Sequence, residues 1–462
     1  MRGRDPNSSL SLSDPMGIHI VGIGGAGMRS IALVLAKMGH TISGSDLKHS
    51  PGLERLESEG ITVTIGHSRD NLPKVSLLTK STAVPDTNVE VHEAKQRGIT
   101  VVSRSTITAA ITREKNTVSV AGTHGKTTTS SMLSLLLAEG GLTPSFLIGG
   151  EVNEIGCGAL WDSSSQYLVV EADESDGTFL ELETDIAIVT SVEPDHLAHY
   201  GGAKQLKQAF KQFVENAKQR SYVCADQVGT EHLLQGENIV TYGENPNSDY
   251  VIHGYSGGKF SSSFSISGPK GEIGVFKLAS PGLHNALNAT AAIAVAADMG
   301  MNGKSLRRGI AHFAGVARRF QFRGEQDNIS FIDDYAHLPT EVKAALAAAK
   351  DGEWKRIVAV FQPHRYTRTY ELANDFVGAF DDADEVIITG VYPSGEKPIP
   401  GVTGKLIANS LERNQKQKTI HYYEHRSELI DFLKRNLRSG DLCITLGAGD
   451  LTSLPNELMG DS

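Results

Sequence analysis

The sequence predicts an α/β protein of three domains, and three observations carry that expectation. Apolar strand-like runs alternate with helix-like stretches, the alternation restarts at Thr117 and again at Ile329, and 462 residues exceed what one hydrophobic core ordinarily supports. Hydrophobic residues make up 39% and charged residues 21%, the balance of a water-soluble globular chain.

Residues 1–15 (MRGRDPNSSLSLSDP) lack the apolar stretch of a secretory signal and read as a disordered extension. The first domain, 16–115, begins with the apolar run Ile18–Ile23, a helix over Met28–Met38 and a strand at Thr41–Ser45. Strand–helix pairs then continue to Thr100–Val102. The second domain, 116–323, opens with a strand at Thr117–Ala121 and a helix at Ser130–Ala138. Strands at Tyr167–Glu171 and Ile186–Thr190 follow, then a helix at Lys204–Ala217, β-hairpins over 240–280 and an Ala-rich helix. Gly315–Gly324 reads as a linker. The third domain, 324–462, alternates strands at Ile329–Ile332, Ile357–Phe361, Glu385–Thr389 and Leu442–Leu446 with helices such as Thr340–Lys350. The expected architecture is Rossmann-like, then P-loop ATPase-like, then Rossmann-like.

A net charge of −10 gives no general attraction to phosphate backbones, so no nucleic-acid partner is expected. No run approaches the ~18 continuous apolar residues of a membrane span, so neither is membrane insertion, and a cytoplasmic setting fits. Cys157, Cys224 and Cys443 are far apart and form no CxxC pair. They read as buried or incidental thiols of a reducing compartment.

Two glycine-rich turns carry the chemistry. AGTHGKTTT (121–129) lies between a strand and a helix, where successive backbone N–H groups and a helix N-terminus can cradle phosphate. The full eight-residue GxxxxGK[ST] pattern is not met; the core Gly122-x-x-Gly125-Lys126-Thr127 is. Lys126 suits the β- and γ-phosphates, and the Thr127 hydroxyl suits Mg²⁺. Earlier, Gly22-x-Gly24-x-x-Gly27 follows a strand and opens a helix, with Asp46 standing 19 residues on. That is a dinucleotide fingerprint. Physically it specifies only a pyrophosphate at a helix N-terminus and a nearby sugar hydroxyl. EADESD (171–176) and SVEPDH (191–196) each end an apolar strand, where ligand sites of open α/β sheets form. Four acids in six residues repel one another unless a cation is present.

GTHGKTTT resembles the ATP loop of the Mur ligases and their folylpolyglutamate-synthetase relatives. Further segments match in family order: GIGGAGM (22–28), EADESD, SVEPDH, HNALNATAA (284–292), DDYAH (333–337) and FQPHRYTRT (361–369). The resemblance implies an ATP-dependent ligase of peptidoglycan precursor synthesis. It would join L-alanine to the lactyl carboxylate of UDP-N-acetylmuramate through an acyl phosphate, with ATP as co-substrate and Mg²⁺ as cofactor.

Residue by residue, the resemblance puts ATP on Gly122, Thr123, His124, Gly125, Lys126, Thr127, Thr128, Asn285, Arg319 and Asp334. Asn285 is also compatible with a helix cap, and Arg318 beside Arg319 reads either as a group near the γ-phosphate or as a solvated surface residue. The UDP-sugar falls to Gly22, Gly24, Gly25, Ala26, Gly27, Ser45 and Asp46, and the amino acid to Tyr335, His337, His364, Arg365 and Arg368. The metal falls to Thr127, Glu171 and His196, and catalysis to Lys126, Glu171, His196 and His337. The sequence departs from the family pattern at Ala198, where DHxD is usual, and at Leu338, where a second His is usual. Within the family, a tripeptide-recycling branch carries Cys and Phe where this chain has GGAGM. From other classes, an NAD-dependent dehydrogenase or a non-catalytic nucleotide-binding regulator would share the glycine-rich turns.

Overall fold

A computed structural model describes residues 10–152, 157–195, 197–227, 229–414 and 418–460. Three sheets organise them. The first contains β1 (Gly17–Val21), β2 (Thr41–Asp46), β3 (Thr62–Ile65), β4 (Leu77–Lys80) and β5 (Thr100–Val102), all parallel, in the order β3-β2-β1-β4-β5. The order reverses between β1 and β4, so a crevice opens beyond the carboxyl end of β1, where Gly22–Gly27 emerges.

The second sheet contains β6 (Asn116–Ala121), β7 (Ser145–Val152), β8 (Cys157–Leu160), β9 (Tyr167–Glu171), β10 (Ile186–Val189), β11 (Arg220–Cys224), β12 (Ile239–Gly243), β13 (Tyr250–Gly257), β14 (Ser262–Gly268) and β15 (Gly271–Leu278). Its order is β15-β14-β13-β12-β11-β10-β6-β9-β7-β8. β6 lies between β10 and β9 and pairs with both in parallel, which aims the carboxyl ends of all three at one edge. The third sheet, β16 (Gln321–Gln326), β17 (Ile329–Asp334), β18 (Arg356–Phe361), β19 (Glu385–Thr389), β20 (Thr419–Tyr423) and β21 (Asp441–Leu446), runs β16-β17-β21-β18-β19-β20. Only β16 is antiparallel to its neighbour there.

The chain forms two compact units. One comprises 1–253, 265–276 and 287–313; the other comprises 254–264, 277–286 and 314–462. In the first, Ile18, Ile20, Ile31 and Leu35 share a single buried cluster with Val170, Phe179, Phe210 and Phe213, so the first two sheets are joined through side chains. In the second, Phe361 at the end of β18 meets Phe376 at a tilt and Phe380 edge-on, within a cluster of Ala and branched aliphatic residues. Burial of such runs on both faces is what parallel sheets require.

Several expectations change. β12 pairs with β13 in parallel, so 240–250 is not a hairpin. The stretch read as a linker already contains the start of β16 at Gln321. Arg104–Thr112 forms a helix that the β-branched residues of RSTITAAIT conceal; burial along almost its whole length, with a Ser103 cap, overrides the weak propensity. Cys224 and Cys443 are buried, and burial pushes both thiols up to about 12. Among the described residues, no helix is long and apolar enough to cross a membrane.

Candidate functional site

The second glycine loop links β6 to the helix Lys126–Glu139. Gly122 and Gly125 have φ of +138° and +80°. A Cβ at Gly122 would lie 2.1 Å from Thr190 Oγ1, and one at Gly125 would lie 2.4 Å from Asn288 Oδ1. Neither position admits a larger residue. The loop is braced from the SVEPDH segment: Thr123 N–H donates to the Ser191 carbonyl, His124 N–H to Ser191 Oγ (3.0 Å), and Glu193 N–H to Thr123 Oγ1 (2.8 Å). His124 Nε2 is 3.3 Å from a Glu193 carboxylate oxygen. Thr128 is buried in the first helical turn.

Lys126 Nζ donates to the Gly122 carbonyl (2.6 Å) and pairs with Glu174 (2.9 Å). Burial works against its charge, yet the carboxylates of Glu174 and then Glu171 outweigh burial and raise its pKa. Thr127 Oγ1 donates to Glu171 Oε2 at 3.0 Å, and Gly149 N–H reaches the same oxygen. Within the protein, two cations and a hydroxyl meet the four acids of EADESD. Glu171 takes Thr127, Glu174 takes Lys126, and Asp173 and Asp176 share Arg104 at 2.9 and 2.7 Å. Asp173 is driven up by burial, but Ser175 and Arg104 outweigh this and bring it to about 2.

The Thr127 and Glu171 oxygens fit a divalent cation. Neighbouring oxygen ligands of octahedral magnesium, each ~2.0–2.1 Å from the ion, lie about 3 Å from one another. His196, the other expected ligand, lies outside the described residues. Among the described residues, no group of three or more His, Cys, Asp or Glu side chains is arranged to hold a metal.

At the first loop, Gly22 and Ile23 N–H groups donate to the Ser45 carbonyl at 2.8 and 3.1 Å. Gly24 N–H donates to Asp46 Oδ2 at 2.8 Å. Asp46, expected at a sugar hydroxyl, thus uses one oxygen to shape the loop. A Cβ at Gly24 would sit 2.8 Å from that same oxygen. Gly25 caps the helix Ala26–Lys37 without a side-chain bond, leaving its first N–H groups for a ligand. The Ser45 hydroxyl points away from solvent to Glu90 (2.5 Å) and His67 (3.0 Å). Glu90 is buried, which pushes its carboxyl up. His19, Ser45, Asn71 and the Ser68 N–H outweigh that and hold it down to about 2.

In the other compact unit, DDYAH ends β17. Asp334 accepts from the Phe320 and Ala336 N–H groups at 2.7 and 2.8 Å, and burial lifts it to about 6. Tyr335 lies under the guanidinium groups of Arg318 and Arg319, 4.8 and 5.2 Å from the ring centre. Arg318 is no solvated surface residue: it donates to the Gly447 and Gly449 carbonyls and approaches Asp333. His337 is held by Glu341 (3.1 Å), which also accepts the Leu338 N–H and so caps the following helix at a position where Leu cannot. His337 and His364 are 5.6 Å apart between ring centres, and His364 stacks on Tyr392. Burial first, then His337, Arg368 and Arg365, lower the His364 pKa to about 4. Arg368 is 3.2 Å from His364 Nδ1, and Arg365 takes φ +70° as its N–H donates to the Tyr392 carbonyl. Asn285 does not cap its helix, which starts at Leu283. Its amide turns back to Ser280 and the Pro281 carbonyl.

Arg104, Glu90 and Tyr392 were not singled out from sequence. Each sits in a segment with no motif, and only tertiary pairing reveals it. Glu174 stood inside EADESD, where the unbalanced charge was the signal for an internal cation.

A glycine loop bearing a lysine and a hydroxyl, each held by a carboxylate from the end of the neighbouring parallel strand, belongs to the class of nucleotide-dependent ligases. Three family models match in succession: "Mur ligase family, catalytic domain" over residues 17–116, "Mur ligase middle domain" over 120–296, and "Mur ligase, glutamate ligase domain" over 318–449. The chain belongs to the Mur ligase family. It is 42% identical over 447 residues to a UDP-N-acetylmuramate–L-alanine ligase of Geotalea daltonii, covering 96% of this chain and 97% of that one. A namesake from Geotalea uraniireducens is 43% identical, with 96% and 98% covered. Among solved structures, UDP-N-acetylmuramate-alanine ligase MurC from Thermotoga maritima matches with a TM-score of 0.80 at 30% identity, over 96% of this chain and 98% of that one. A murein peptide ligase from Psychrobacter arcticus reaches 0.67 at 25%, with 96% and 98% covered.

Proposed function

We propose that this chain ligates L-alanine to the lactyl carboxylate of UDP-N-acetylmuramate at the expense of ATP, a step of peptidoglycan precursor synthesis. The observation that carries this reading is the pair of contacts Lys126–Glu174 and Thr127–Glu171 at a glycine loop. They support a reading in which a part-buried ammonium and two oxygens suited to a cation serve the γ-phosphoryl. The full-length likeness to UDP-N-acetylmuramate–L-alanine ligases supports the choice of substrates.

A carboxylate is a poor acyl donor; phosphorylation turns it into a mixed anhydride that an amine can attack, with phosphate leaving and an amide remaining. In the proposed reaction, Lys126 and the Gly122–Gly125 amides hold the phosphates and neutralise charge on the transferring group. Thr123 and His124 fix the loop, and Thr128 buries the start of its helix. Thr127 and Glu171, with His196, would hold Mg²⁺, which when bound neutralises phosphate charge. Gly22, Gly24, Gly25, Ala26 and Gly27 take the UDP pyrophosphate, while Ser45 and Asp46 hold the loop in shape. Asn285, Arg319 and Asp334 are assigned to ATP. Tyr335, His337, His364, Arg365 and Arg368 are assigned to the amino acid, whose carboxylate a guanidinium fork suits. A neutral His364 leaves the arginines to supply the charge.

The test is phosphate release with ATP, Mg²⁺ and UDP-N-acetylmuramate while each amino acid is supplied in turn. Release that depends on L-alanine above all others is expected. Release with a tripeptide instead, or none with any amino acid, overturns the assignment.

A further inference from the structure

Arg104 opens the helix Arg104–Thr112, whose Ser103 cap accepts the Thr106 N–H at 3.0 Å, so its backbone is fixed. One terminal nitrogen of its guanidinium reaches Asp173 at 2.9 Å and Asp176 at 2.7 Å. Its other terminal nitrogen lies 3.4 Å from where a Cβ at Gly27 would stand, at the mouth of the first glycine loop. The side chain is 20% exposed, and Nε is buried without a partner. Asp173 is followed by Glu174, the partner of Lys126. A single cation therefore stands beside the loop assigned to the UDP-sugar and pairs with the acidic segment that holds Lys126 and Thr127.

We propose that Arg104 is a positioning residue that couples the two loops, so that filling Gly22–Gly27 and filling Gly122–Lys126 favour each other. The inference rests on the proposed function and deepens it. A pyrophosphate at the first loop draws on the nitrogen facing Gly27, and the planar fork transmits that orientation to Asp173 and Asp176. Glu174 and Glu171 move with their segment, and they hold the lysine and the hydroxyl that meet the nucleotide. Lysine cannot replace this arrangement, because one ammonium is a point charge without a fork.

Coupling is reciprocal, so it can be read from either side. Calorimetry on the full chain measures the affinity of UDP-N-acetylmuramate with and without a non-hydrolysable ATP analogue and Mg²⁺, and the converse. In the unaltered protein each ligand should tighten the other by at least about fivefold. In Arg104→Lys, expected to fold because the charge is kept, both ligands should still bind while the factor falls towards one; Arg104→Ala should match it. Unchanged coupling in Arg104→Lys, or independent binding in the unaltered protein, overturns the inference. Failure of either ligand to bind the unaltered protein even when the other is present overturns the proposed function instead, so the two are told apart.

Discussion

Gly22–Gly27 and Gly122–Lys126 both leave the carboxyl end of a parallel strand and enter a helix. Each has a glycine at positive φ and another position that a side chain would fill with a clash. The first loop is shaped by a carboxylate, Asp46, accepting a glycine N–H, and is backed by the buried acid Glu90. The second is shaped by an ammonium, Lys126, returning to its own loop and to Glu174. The same local geometry thus presents a helix N-terminus whose nearby cation, Arg104, comes from outside the loop in one case, and a helix N-terminus with a lysine of its own in the other. Binding a diphosphate needs the former; stabilising a phosphoryl group in transfer needs the latter.

The largest effect that would break this contrast is expected at Lys126. Removing one group that stabilises developing charge costs on the order of 10²–10³ in rate. Lys126→Ala should lose that much ligation, measured as phosphate release, while calorimetric affinity for the UDP-sugar stays within a factor of about two. Equal turnover in the variant would erase the distinction between the loops.

Gly24→Val tests the other side. Its side chain meets the Asp46 carboxylate, so UDP-sugar binding should fall at least about tenfold, the effect of a 1.4 kcal/mol clash. Nucleotide-analogue affinity should hold. Tight NAD binding lost in this variant, with no UDP-sugar signal in the parent, would make the first loop a dehydrogenase site.

A smaller effect concerns Glu90. Its carboxyl is depressed to about 2, so the folded state favours the ionised form. That contribution is complete above the ordinary carboxyl value of about 4.5 and is lost as pH falls towards 2. Urea unfolding followed from pH 5 downward should show Glu90→Gln less stable than the parent at the upper end and flatter along the acid limb. Parallel curves would detach Glu90 from the first loop's support. The smallest expected shift is at Ala198, where this chain lacks the usual aspartate. Ala198→Asp should lower the Mg²⁺ concentration needed for half-maximal rate, and an identical titration would place that position outside the metal's surroundings.

Both loops were legible in the sequence because backbone strain forces glycine into a pattern, and charge forces lysine and acids into short segments. Strands such as Glu385–Thr389 and Tyr167–Glu171 were legible because parallel sheets demand unbroken apolar runs. What stayed hidden depends on distant partners. Nothing in SRSTITAA marks Arg104, since its acids stand 69 and 72 residues away. The spacing of Asp46 suggests a ligand contact; what the structure shows is its carboxylate holding the Gly24 N–H, which spacing alone does not express. Arg318 could not be told from a surface residue until the Gly447 and Gly449 carbonyls came beside it.

Cys224 and Cys443 lie in different compact units, each buried and held protonated far above neutral pH. An alkylating reagent attacks only thiolate, so neither should be modified until its surroundings open. With Cys157→Ser removing the third thiol, the chain becomes its own two-channel clock. The labelling rate at Cys224 times the opening of the body with the two glycine loops, and the rate at Cys443 times the body with the paired histidines. Adding a nucleotide analogue or alanine to such an experiment would reveal which body each ligand tightens.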